Sequence, residues 1–175
     1  MQDHSPPVSV PRLRTARLLL REVRRGDFDA FAAFLADPVA MEFSEVQERR
    51  TAWRIFAAHA GAWMIDGTGW WAIELRDRDA ATFVGTVGAF VREGRPELEI
   101  GWNVLRPYWG RGIASEAAAE AVRYAFEVRR EPCVTAIIRP KNAASVRVAE
   151  RIGMTHDGDM EHVGAPARRY VRRAP

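Results

Sequence analysis

Residues 97–139 read as a strand, a glycine-paired turn, a helix of small residues and a second strand, and that order admits few topologies. In ELEIGWNVL, 97–105, Leu98, Ile100, Trp102 and Val104 alternate with Glu97, Glu99, Gly101 and Asn103, the period of a strand with two unlike faces. Gly101 interrupts that alternation with nothing to pack, which predicts a bulge. After Trp109-Gly110-Arg111-Gly112 comes IASEAAAEAVRYAFEVRR, in which positions 114, 117, 118, 121, 122 and 125 form one narrow stripe. A stripe of alanines lets a helix lie close on a sheet. CVTAIIR, 133–139, is the second strand. Strand, helix, strand in this sequence requires a parallel, right-handed crossover.

The flanking segments add pairs that must be antiparallel. RLLLREV, 17–23, reads as an opening strand. A helix follows, with Asp27 as its cap, apolar positions at 28, 31, 34 and 35, and a stop at Asp37-Pro38. Ser44 and Gln47 have capping-box spacing ahead of a second helix, about 46–65, that carries Trp53, Phe56 and Trp63 and ends near Gly67. WWAIELR, 70–76, and ATFVGTVGAFVR, 81–92, form a hairpin. NAASVRVAERIG, 142–153, is a helix capped by Asn142 and ended by Gly153, and the tail supplies one or two more strands. The expected fold class is α/β (α+β): a mixed sheet with helices on its faces. Residues 1–11 are expected to be a disordered start, and 12–175 one domain.

Composition narrows the partners. The one cysteine, Cys133, permits no internal disulfide and reads as a small buried group on a strand, which favours a reducing compartment. Neither a leader nor a membrane-length apolar run is visible, so a cytoplasmic location is expected, with no membrane partner. The net charge of +3 suits an anionic ligand. The basic residues are scattered, apart from RRYVRR at 168–173, which reads as a solvated strand face; no nucleic-acid partner is expected. His156 and His162 lack companions at ligand spacing, so no metal is expected, and His59 reads as part of a helix face packed on the core.

The turn is the chemical feature. Gly110 and Gly112 can take φ > 0, and the helix behind them offers unpaired N–H groups, which suits phosphate or pyrophosphate. A plain tight turn would use the same residues. A dinucleotide site is the other ligand reading, with Arg139 placed for a 2′-phosphate, but Ser115 stands where the third glycine belongs and too few strands follow.

Residues 99–115, EIGWNVLRPYWGRGIAS, closely resemble the acetyl-CoA-binding motif of the GNAT N-acetyltransferases, whose pattern Gln/Arg-x-x-Gly-x-Gly/Ala falls on Trp109 to Ala114. NAASVRVAERIGM, 142–154, resembles a helix of the RimJ/RimL branch of that family, and ARLLLREV, WWAIEL and FVGTVG resemble its opening strand and hairpin. The resemblance implies a mostly antiparallel sheet whose central strands, 97–105 and 133–139, splay to admit the pantetheine arm of acetyl-CoA. Backbone groups of Trp102, Asn103 and Val104 would bond that arm, and the N–H groups of Gly110, Arg111, Gly112, Ile113, Ala114 and Ser115 would hold the pyrophosphate. Arg111 would face phosphate or solvent; Asn142 would touch the cofactor, and Arg139 and Lys141 would add charge.

The family's usual tyrosine acid falls on Ala149, which closes that route and leaves Ser145, the branch's serine, as the proton donor. Glu99 matches a glutamate of the central strand and would act as base, directly or through water. The acceptor implied is a primary amine, on a protein N-terminus or a small molecule. Dimers are common in the family, so a homodimer is possible. A module that binds the cofactor without catalysis remains the alternative.

Overall fold

The computed structural model describes residues 9–77 and 80–175, so most of the expected disordered start, residues 1–8, lies outside the described residues. The strands are β1 (Leu13–Arg14), β2 (Leu18–Arg21), β3 (Gly69–Asp77), β4 (Ala80–Arg92), β5 (Arg95–Val104), β6 (Cys133–Ile138), β7 (Thr155–His162) and β8 (Ala165–Arg173). The helices are α1 (Phe28–Ala36), α2 (Arg49–Asp66), α3 (Ile113–Glu127) and α4 (Ala143–Arg151). One sheet holds all eight described strands in the order β1-β2-β3-β4-β5-β6-β8-β7. Only β5 and β6 run parallel; the other described neighbours are antiparallel. The expected mixed, mostly antiparallel sheet is what forms, and the 97–139 segment makes the parallel crossover. A doubly wound dinucleotide fold needs a run of parallel strands, so that reading falls with the topology.

The crossover helix lies on β4 and β5. Ala117, Ala118, Ala121 and Ala125 are fully buried there, which is the role their small size predicts. They share a core with Trp71, Ile73, Val84, Val87, Leu98 and Ile100 from the sheet. A smaller cluster joins α1 to α2 through Phe28, Phe31, Leu35, Ala52 and Phe56, with Met41 from the connecting loop.

Several local expectations give way to tertiary contacts. The capping box at Ser44 and Gln47 does not form. The Gln47 N–H donates to the Leu35 carbonyl and its side chain to the Glu45 carbonyl, so the chain winds back onto α1 and α2 starts only at Arg49. Asp27 does not cap α1. Its carboxylate accepts the Arg24 N–H and a bidentate pair from Arg21, at 2.8 and 2.9 Å. Arg21 also donates to Glu74 at 2.6 Å, and all three side chains are largely buried. These hydrogen bonds, Asp27 first, raise the Arg21 guanidinium further above its already high pKa.

Gly101 marks no bulge: the described register shifts fall at Ile73/Glu74, Phe90/Arg92 and His156/Gly158. A Cβ on Gly101 would lie 2.5 Å from the Trp70 ring, and one on its neighbour Gly88 2.7 Å from the same ring. The pair of glycines is a bed for the indole. Cys133 is half-buried at the start of β6 rather than enclosed. The RRYVRR run is β8, with Tyr170 and Val171 buried and Arg169 paired to Glu97 and Asp157. Among the described residues, no helix is long and apolar enough to cross a membrane.

Candidate active site

The two parallel strands meet at only two positions, Leu98 with Val134 and Glu99 with Thr135. Beyond these, β5 runs on to Val104 and β6 to Ile138 without pairing, so the strands part. Which groups face the gap follows from the other edge of β5. The Leu105 N–H donates to the Val84 carbonyl at 2.9 Å. Alternation along an antiparallel ladder then turns the main chain of residues 99, 101 and 103 to β4, and that of Ile100, Trp102 and Val104 into the gap. The expectation for Asn103 is corrected accordingly. Its main chain serves β4, and it reaches the gap region only by its amide, which donates to Thr86 Oγ1 at 3.3 Å. The Val104 carbonyl is also taken, by the Trp109 indole N–H at 2.6 Å, leaving its N–H for a ligand.

A cleft of about 1200 Å³ opens over the parted strands. Trp70, Phe90 and Trp102 give it an aromatic wall, and Glu99, Asn142 and Ser145 bring polar groups to it. Val104 and residues 110–115 do not line this cleft; they follow it along the chain, past a single 3-10 turn at Arg106–Tyr108. Gly110 and Gly112 have φ of +73° and +76°, as the turn reading requires. Gly112 caps α3 in that left-handed conformation, and the first N–H bonded inside the helix is that of Glu116, to the Gly112 carbonyl at 3.0 Å. The N–H groups from Gly110 to Ser115 meet no acceptor among the described residues. A helix start with open donors has the chemistry that suits an anion. Arg111 is exposed and lies over the Tyr108 ring at 5.5 Å. An unpaired strand edge that leads to such a donor cluster fits an extended amide-bearing chain ending in a diphosphate.

Asn142 caps α4, its Oδ1 accepting the Ser145 N–H at 3.0 Å, and places Ser145 on the cleft wall. Ala149 is wholly enclosed in the core, so that position offers no hydroxyl. Glu99 is 7% exposed and accepts two hydrogen bonds from Arg92, at 2.8 Å each, with Arg95 at 3.6 Å. Arg139 lines the cleft and also acts as a structural clamp. Its Nη1 donates to the carbonyls of His162, Ala165 and Pro166 and ties the β7–β8 hairpin to the cleft. Lys141 lines the cleft.

Sequence reasoning missed Arg92, Trp70, Phe90 and His162, all of which line the cleft. Strand alternation carried a signal for Arg92, which like Glu99 sits near the β4–β5 turn; nothing local distinguished His162. Its ring lies near Arg95, and burial together with Arg92 holds its pKa below the usual value.

His59 sits behind the aromatic wall, where the core reading put it. It stacks on Trp70 with ring centres 4.4 Å apart, and Trp70 stacks in turn on Phe90. The imidazole is 8% exposed and its Nδ1 has no partner among the described residues, so burial pushes its pKa down to about 3. The unfolded chain takes up that proton near pH 6.5, whereas the folded one does not until about pH 3. Stability therefore falls as pH drops between these values, by up to about 1.4 kcal/mol per unit. Urea unfolding at stepped pH is expected to show this slope, and His59→Phe to flatten it.

Comparison with known proteins bears on this site. Residues 17–155 match the acetyltransferase (GNAT) domain family. The chain is 34% identical over 110 residues to YkkB of Bacillus subtilis (strain 168), a match that spans 62% of this chain and 63% of that protein, less than two thirds of its length. It is 29% identical over 153 residues to the uncharacterized N-acetyltransferase YoaA of the same organism, covering 85% of each. The crystal structure of an acetyltransferase from Agrobacterium tumefaciens str. C58 superposes with a TM-score of 0.85 at 30% identity, over 98% of this chain and 99% of that one.

Proposed function

The chain belongs to the GNAT acetyltransferase family, and from that premise we propose that it transfers the acetyl group of acetyl-CoA to a primary amine, in the manner of the RimJ/RimL branch, with both substrates in the cleft at once. The observation that carries this reading is the parting of β5 and β6 beside the donor-rich turn. Trp102 and Val104 would bond the pantetheine arm, the N–H groups of residues 110–115 the pyrophosphate, and Asn142 the arm near the thioester.

Bound acetyl-CoA supplies an acetyl group on a sulfur leaving group. The chain supplies proton transfer and position. Ser145, on the cleft wall, donates the proton that the departing sulfur needs. Glu99 receives the proton that the amine must lose. Arg92 bonds each Glu99 oxygen once, which leaves an acceptor site on each for the amine itself or for a relaying water. Trp70 and Phe90 present an apolar wall to the body of the acceptor. Ala149 excludes the tyrosine route, which leaves the serine with the acid role.

Two measurements test this. Acetyl-CoA well above its Kd raises the unfolding free energy by a few kcal/mol, and NADPH does not. Purified protein releases free thiol from acetyl-CoA in the presence of an amine panel, at a rate above that without enzyme. Ser145→Ala is expected to lower kcat by about 10²-fold while changing the Kd for acetyl-CoA by less than about threefold, the pattern of a lost general acid. An unchanged kcat removes Ser145 from the mechanism.

A further inference from the structure

Glu116 stands in the first turn of α3, immediately after the open N–H groups. A carboxylate there suits the helix dipole, yet in charge terms it competes with an anionic ligand for the same helix end. The structure surrounds it with donors from the corner between β1 and β2. Oε1 accepts from Thr15 Oγ1 at 2.5 Å and from the Arg17 N–H at 3.2 Å. Oε2 accepts from Arg17 Nε at 2.8 Å and lies 2.6 Å from Nη2.

The same Nη2 donates to the Arg111 carbonyl at 3.1 Å, inside the glycine turn, and lies 3.6 Å from where a Gly112 Cβ would stand. Thr15 is itself fixed, its hydroxyl accepting the Leu18 N–H at 2.9 Å. Burial favours protonation of Glu116, but the hydrogen bonds from Thr15 and Arg17 outweigh it and hold the carboxyl below its usual pKa. The group is therefore an anion at neutral pH, and its nearest compensating charge is Arg17.

We propose that Arg17 is a positioning residue for the coenzyme: it cancels the charge of Glu116, so that the turn from Gly110 to Ser115 stays open to a diphosphate. The inference rests on the reading of that turn as the pyrophosphate site. Removing Arg17 exposes a bare carboxylate beside the ligand, and removing Glu116 as well takes that repulsion away. A merely structural role for Arg17 would make the double variant no better than the single one.

Calorimetric titration of the free protein with free CoA decides it, with unfolding temperature as the control for folding. Arg17→Met is expected to weaken CoA binding by about tenfold or more, since charge-assisted contacts near the ligand become repulsive. Arg17→Met combined with Glu116→Gln returns the Kd to within about threefold of the wild type, a coupling that only interacting residues show. Arg17→Gln, which keeps a polar stem without the charge, carries the same expectation and serves where Arg17→Met does not fold. A single variant that binds CoA like the wild type overturns the role of Arg17 and leaves the turn as the coenzyme site. A double variant as weak as the single one also overturns it. A wild-type chain that binds no CoA overturns the reading of the turn itself, and the role of Arg17 with it.

Discussion

Gly112→Asp is expected to leave a folded protein that has lost its hold on acetyl-CoA. The residue caps α3 at φ +76°, a conformation that aspartate tolerates better than most side chains. Its carboxylate would bond the N–H groups of the first helical turn, as a capping aspartate does. Those are the donors the diphosphate requires, and the new charge also repels it. Two charge-assisted bonds lost at about 1.5 kcal/mol each amount to about a hundredfold in Kd. The expected result is a Kd for acetyl-CoA raised at least about that much, with an unfolding temperature little changed. Titration calorimetry and a thermal melt on one preparation separate loss of binding from loss of fold. Wild-type affinity in this variant rules out residues 110–115 as the anion site.

Arg21→Ala is expected to be the most damaging single change to stability. Arg21 is 4% exposed and is the shared partner of Asp27 and Glu74, at 2.8 and 2.6 Å. Its removal strands two carboxylates away from water, and breaking a buried pair costs about 3–5 kcal/mol. Urea unfolding at neutral pH measures that loss. The pH response gives a second signature. Unpaired buried carboxylates hold their protons more tightly in the folded state than in the unfolded one. The variant therefore regains stability as pH falls toward 5, whereas the wild type loses some through His59. A variant that unfolds like the wild type would mean that the trio contributes nothing net.

The order of elements was legible because each carried its own period. The alternation of 97–105 and the small-residue stripe of α3 each point one way, and their sequence forces the crossover. The turn was legible because only glycine takes φ near +75° without cost, twice within three residues. Caps were less legible. Asp27 and Gln47 have the right chemistry, but Arg21 and the Leu35 carbonyl, both outside the local window, claim them. Gly101 misled for the same reason: the object that needs its bare Cα is Trp70, more than thirty residues away.

In the cleft, Glu99 was found but its clamp was not, because the pairing of Arg92 with Glu99 depends on the register of a hairpin. Arg139 also ties carbonyls of the β7–β8 hairpin together, a role that carries no sequence signature. Arg17 lies 99 positions from Glu116, and no spacing rule connects an opening strand with a distant helix start.

The two residue pairs that join β5 to β6 have a consequence for hydrogen exchange. Six strands in a row, β1 to β6, would ordinarily share one continuous ladder, and here the ladder thins to a narrow seam at its fifth rung. Without a ligand, amide hydrogens of Trp102 and Val104 are expected to exchange with solvent as those of an edge strand do. A pantetheine arm seated in that gap is expected to act as a ninth strand and to slow the exchange of those amides.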